Sequence, residues 1–316
     1  MQITPEVCSS ADTAYAEPNR PTTHRTPEEI LAHPRFDAAR TAYIEAILGL
    51  YEHDRFMSRL LIEAARSIVF FNTLAIYASY DVADRATWPT ISLLKQTLAP
   101  FGLSTARRVD GLITQLVRSD YLTLSTAPGD RRVRVLTPTE KMIAHDLDWL
   151  AAHYRPLRVM FPETGYDQPT RRDPVFQKTL RRISRGFMEY AAQLMASNPE
   201  VMFFMEHDAG TMILIKMIHL GKTVSMAQLS FSELGDKFGV SRTHVRKIVQ
   251  EAEKRGLLHR SESAISLAPV LTKAYDRFVA DTMSGHDIMF KMATCADYEK
   301  PKVSARVNSP ERKETA

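Results

Sequence analysis

One passage of this chain occurs twice. FGLSTARRVDGLITQLVRSDYLTL begins at Phe101 and FGVSRTHVRKIVQEAEKRGLLHR at Phe238, an offset of 137 residues that becomes 136 by Val109 and Val245. A residue has been gained or lost inside the passage. Each copy runs Phe-Gly, an aliphatic residue, Ser, a polar stretch, four apolar positions and a turn before a new apolar pair. The flanks repeat as well. Two apolar helical stretches and a short one precede each copy, ISLLKQTLAPFG in the first half and FSELGDKFG in the second, and a strand-like pair and a further helix follow. A repeat of this length means that whatever one half folds into, the other half folds into a version of it.

At 316 residues the chain is long enough for two domains of roughly 120 residues plus extensions. Apolar residues make up 44% and charged ones 25%, which excludes disorder throughout. The net charge of +4 leans weakly towards acidic partners, so where the cations sit matters more than their sum. Apolar periodicity at helical spacing predicts helices over 36–51, 55–80, 89–101, 104–118, 139–153, 175–196, 200–220, 231–238, 241–255 and 269–292. The fold class that follows is mainly α: two repeated helical domains, each with a small strand pair, over 35–155 and 175–292, joined and packed through flanking helices. Pro156, Pro162, Pro169 and Pro174 mark 156–174 as the connection. Residues 1–34 and 293–316, rich in Pro, Thr and charge, are expected to be mobile arms. No signal-peptide core opens the chain, and the apolar run SIVFFNTLAIYASY is short and broken by Asn72 and Thr73, so a cytoplasmic protein is expected.

Each copy has the physical marks of a helix presented by a turn. Val245, Ile248, Val249 and Ala252 stand at i, i+3, i+4 and i+7, as do Val109, Leu112, Ile113 and Leu116, giving each helix one buried stripe. Ser241 and Ser104 occupy the N-cap position, and Gly239 and Gly102 suit the turn before it. Opposite the second stripe stand Arg242, Thr243, Arg246, Lys247 and Gln250, with His244 beside them; the first copy offers Thr105, Arg107 and Arg108. A helix entering the major groove shows its first turns to base edges, where Arg pairs with guanine and Gln with adenine, while hydroxyls and free amides hold phosphate. A solvated cationic face is the bland alternative for the same residues. The first copy also carries Asp110 and Gly111 on that face, and an acid there opposes phosphate.

After the first helix, YLTLSTAPGDRRVRVLTPTEK reads as a strand, a turn at Pro128-Gly129-Asp130 and an alternating strand bearing Arg131, Arg132 and Arg134. A basic hairpin directly after a reading helix is a wing. The stretch SDYLTLSTAPGDRRVRVLTPTEKMIAHDL resembles the winged helix-turn-helix regulators of the MarR type, in which an Asp-x-Arg marks the wing tip and a Leu-Thr precedes the next helix. Asp130, Arg132, Leu136 and Thr137 match those positions, with the returning strand about two residues shorter, and the likeness covers roughly 36–155. The resemblance implies that Arg132 lines the minor groove and Asp130 orients it. It also implies a dimeric arrangement with two reading helices in successive major grooves, so that a chain with both copies resembles a fused pseudo-dimer with unequal halves, monomeric or further paired. The second half departs from the pattern: LLHRSESAISLAPVL has no Asp-x-Arg and only His259 and Arg260 as cationic groups.

The sequence therefore points to double-stranded DNA as partner and to transcriptional regulation as function. A plasmid-type replication initiator and a winged-helix interaction scaffold are the rivals. The cations Arg155, Arg158, Arg171, Arg172, Lys178, Arg181, Arg182 and Arg185 outnumber Glu163, Asp167 and Asp173 across the join, and could touch phosphate beside the wings, though a solvated linker leading into an amphipathic helix is the more ordinary reading. VMFFMEHDAGTMILIKMIHL, rich in Met and Phe, could accept a small hydrophobic effector, though core packing is the more ordinary use. His207 and Asp208 are sequence neighbours and would point apart on a helix, a poor start for a metal site. Cys8 and Cys295 form no ligand spacing. LGKTV lacks the first glycine of a phosphate loop, since Lys216 stands there, and with no nucleophile elbow or HExxH, neither an enzyme nor a cofactor is expected.

Overall fold

The computed structural model describes residues 24–52, 64–99, 105–187, 196–223, 230–261 and 265–295. The expected arms at 1–23 and 296–316, together with Cys8, Phe101, Gly102 and Ser104, lie outside them. The first half contains α1 (Pro27–Leu31), α2 (Phe36–Tyr51), α3 (Ala64–Ala78), α4 (Ile91–Leu98), α5 (Ala106–Arg118), β1 (Leu122–Ala127), β2 (Asp130–Pro138) and α6 (Glu140–Met160). A short α7 (Asp167–Thr170) leads into the second half: α8 (Pro174–Ser184), α9 (Pro199–Met205), α10 (Gly210–Thr223), α11 (Phe231–Phe238), α12 (Arg242–Lys254), β3 (Leu258–Arg260), β4 (Ile265–Leu267) and α13 (Pro269–Cys295). The fold is mainly α, with two small antiparallel two-stranded sheets, β1–β2 and β3–β4.

The repeat is visible bond by bond. Helix α5 ends where Tyr121 N–H reaches back to the Leu116 carbonyl at 2.9 Å, across Asp120 in the left-handed region at φ 58. Helix α12 ends identically, with Leu257 N–H on Ala252 at 2.9 Å across Gly256 at φ 70. This bond pattern satisfies carbonyls that a helix end leaves open, and glycine adopts the required φ at least cost. Beyond the ends, Thr139 N–H closes onto Tyr121 and Ala268 N–H onto Leu257, each at 3.0 Å, so each hairpin is sealed at its base in the same way.

The two halves share one core. Val109, Leu112, Ile113 and Leu116 are buried in the same apolar cluster as Val245, Ile248, Val249 and Ala252. Helix α3 lies against α8 and α10 against α2, so the helix leading into each repeated unit packs on the opening helix of the other half. Arg40 of α2, itself buried, pairs with Asp276 of α13. Asp146 of α6 is fully buried and held by Arg181 and Gln177 of α8, with Arg181 lying over the Phe71 and Trp149 rings at 4.5 and 5.1 Å. Removing two charges from water is costly, and here the cost is met by hydrogen bonds to both carboxylate oxygens and by the ring faces under the guanidinium.

Three expectations are corrected. The connection at 156–174 is part of the core: α6 runs on through a buried Pro156 to Met160, and Leu157, Met160, Phe161, Tyr166 and Pro169 are buried. Proline inside a helix removes one backbone bond, and the apolar side chains around it compensate. The stretch just before α2 is no loose arm: α1 has a capping box from Thr26 and Glu29, Ile30 is fully buried, and Arg25 lies 3.6 Å over Phe161 while its amide donates to Asp287 at 2.8 Å. The helix expected over 200–220 is broken at Glu206–Ala209, leaving α9 and α10, so His207 and Asp208 sit in a turn. Of the helix expected over 175–196, α8 ends at Ser184 and a 3-10 turn follows at Arg185–Phe187, while 188–195 lie outside the described residues.

Candidate nucleic-acid interface

The unit α11–turn–α12 is shaped by two glycines. Gly239 ends α11 at φ 72, and Gly235 lies so close to the next segment that a Cβ would stand 2.6 Å from the Val240 carbonyl oxygen. Gly239 was legible from the repeat; Gly235 was not, because close approach leaves no sequence pattern. Ser241 then caps α12, its Oγ accepting from His244 N–H at 3.1 Å. In the first copy the cap is Thr105, accepting from Arg108 N–H at 3.3 Å, rather than the Ser104 expected. Both residues carry a hydroxyl, and sequence alone does not say which of two adjacent ones takes the extended backbone a cap needs.

The cationic faces point outward. Arg107, Arg108, Arg131, Arg132, Arg134, Arg242, Thr243, Arg246 and Lys247 are exposed. Among the described residues no acidic side chain pairs with Arg107, Arg131, Arg132, Arg242, Arg246 or Lys247. Elsewhere pairing is frequent: across the join Arg158 meets Asp167, Arg172 meets Asp148 and Arg181 meets Asp146, so part of the charge counted there is already spent. Asp110, read as opposing phosphate, is neutralised within its own unit by Lys95 of α4 at 2.7 Å. His244 departs from expectation: it is half-buried, and its Nε2–H donates to the Asp208 carbonyl at 2.8 Å, so it faces the turn between α9 and α10 rather than the open side of α12.

The first hairpin is braced by a residue that sequence reasoning missed. Its turn passes through Gly129 at φ 77, and Asp130 accepts from the Arg132 amide at 3.0 Å and from Arg85 Nη2 at 2.9 Å. Asp130 therefore orients Arg132 through the backbone and gives its second oxygen to Arg85, which belongs to a short 3-10 turn between α3 and α4. Under the hairpin Trp88, Ala127 and Val135 form a separate apolar cluster with Tyr80 and Val133. The Arg134 guanidinium reaches across to Thr126 at 3.2 Å. The second hairpin is poorer in free charge, since Arg260 pairs with Glu253 of α12 at 3.4 Å.

Between the units lies a cleft of about 850 Å³. Arg108, Gln115 and Arg118 of α5 line it from one side, Ser241 and His244 at the start of α12 from the other, and Arg66 and Asp208 close together at 2.7 Å within it. The Met- and Phe-rich stretch offered to an effector is consumed by packing: Val201, Phe203, Phe204, Met212 and Met217 are all buried in the core. No helix among the described residues is long and apolar enough to cross a membrane. Compared with known proteins, the chain is matched by no family model, no curated protein and no solved structure.

Proposed function

We propose that this chain is a sequence-specific DNA-binding transcriptional regulator of the cytoplasm, built from two winged helix-turn-helix units fused as an unequal pseudo-dimer in the manner of the MarR-type regulators it resembles. The observation that carries the reading is the pairing pattern. Arg242, Arg246 and Lys247 of α12, Arg107 of α5 and Arg131 and Arg132 of the first hairpin stand exposed and, among the described residues, without an acidic partner, on elements whose opposite faces are buried in the core or, for the hairpin, on the Trp88 cluster. Cations left unpaired on rigid helices can neutralise phosphate and present donors to base edges without first breaking an internal bridge.

The halves contribute differently. Helix α12 carries the fuller reading face and the first hairpin the fuller wing, so the bound sequence is asymmetric, with major-groove reading by α5 and α12 and minor-groove contact by Arg132. Replacing Arg242 or Arg246 by Ala is expected to cost ~1–3 kcal/mol of discrimination between the preferred and altered sites, whereas replacing the exposed Arg171 weakens binding to all sequences alike. Binding titrations on matched and mismatched duplexes measure both. Unchanged binding in all three variants would show that the faces are assigned wrongly.

A further inference from the structure

The turn joining α9 to α10 is held more firmly than a connection requires. Ala209 takes φ 57, a region that residues other than glycine seldom enter. Gly210 approaches α9 so closely that a Cβ would clash with the Phe204 carbonyl oxygen. His207 Nδ1–H donates to the Phe203 carbonyl at 2.7 Å, and the amides of His207 and Gly210 close the turn at 3.1 and 2.9 Å. Backbone strain that the surroundings enforce marks a segment whose shape serves something else.

What this turn presents is Asp208, at the cleft between the two reading helices. Its carboxylate takes Arg66 of α3 at 2.7 Å, and its carbonyl takes His244 of α12 at 2.8 Å. Helix α3 packs in turn on α5. One residue thus ties the scaffold of the first reading helix to the start of the second.

We propose that Asp208 is a specificity-determining brace: it sets the separation and angle of α5 and α12, and with them the spacing between the two DNA segments read together. The proposal rests on the DNA-binding reading above. Arg66 and Asp208 side chains are 32% and 52% exposed, so the bridge contributes little to global stability and its loss leaves a folded chain. What it holds is a distance, and each base pair inserted between the segments moves one of them by about 3.4 Å along the duplex.

The test uses the full chain and its selected site, rebuilt with one base pair added or removed between the two segments. Affinities are measured for the wild type, for Asp208→Asn, and for the charge swap Arg66→Asp with Asp208→Arg. The readout is the ratio of affinities between native and altered spacing, which a uniform change in charge does not move. The wild type should lose about tenfold on the altered spacing, comparable to a mismatched base pair. Asp208→Asn should shrink that ratio by roughly threefold, the scale of one half-exposed bridge, and the swap should restore it. Equal ratios in wild type and Asp208→Asn, or a swap that leaves the ratio shrunken, would overturn the brace with DNA reading intact. A wild type without sequence preference would remove the DNA reading itself, and the brace with it.

Discussion

Gly239 shows how much of the interface depends on single residues. It holds the turn between α11 and α12 at φ 72, and a side chain there would be strained by about 1–2 kcal/mol. Gly239→Ala should therefore lower the unfolding free energy read from urea denaturation by an amount of that size and weaken DNA binding in step, because the entry angle of α12 shifts. Retained stability with retained binding would mean that the turn is not a determinant. Residues that work through spacing and φ are readable from sequence, which is why Gly239 and the caps were placed to within a position. Residues that work through contact across the chain are not: Arg85 reaches Asp130 from 45 positions away, and Gly235 matters only because Val240 folds back over it.

Among the elements, the amphipathic helices and the first hairpin were legible because periodicity and turn chemistry both point to them. The join was misread. Its prolines resemble a connection, yet Leu157, Met160, Phe161 and Tyr166 among them supply enough apolar surface to be drawn into the core. The link between α6 and α8 is then a packed seam centred on Asp146 and Arg181. Asp146→Ala would leave the Arg181 guanidinium buried without its partner, at a cost of about 3–5 kcal/mol, to be read from denaturant unfolding. A loss under 1 kcal/mol would show that the seam is wetter than its burial implies.

Taken whole, the molecule relies on contacts exchanged between its halves, and two histidines report on them. His153 of α6 and His286 of α13 stack at 5.1 Å. Burial holds the imidazole of His153 well below its ordinary pKa, with His286 adding to the effect, and burial pushes His286 down to about 4, with Arg181 also opposing charge there. Tyr43 O–H donates to His153 Nε2 at 3.3 Å, and the Trp149 and Thr282 carbonyls accept from the two Nδ1–H groups at 2.8 Å, which suits the neutral rings. The unfolded chain binds protons at these positions from about pH 6.5 downwards and the folded chain does not, so stability is full above that pH and declines as pH falls towards 4. For His286 the loss is on the order of 3 kcal/mol. Unfolding curves across this range should show the decline, and His286→Phe should flatten it; an unchanged slope in the variant would place the acid sensitivity elsewhere.

The central claim is that two unequal cationic reading units act on one duplex. Selection of genomic fragments with the purified full chain, repeated at low and raised salt, tests it most directly. The account predicts enrichment of a two-part, asymmetric sequence whose binding weakens steeply between 50 and 200 mM salt, by about a thousandfold or more if six or more phosphates are contacted. Fragments recovered without a common sequence, or with binding indifferent to salt, would contradict it.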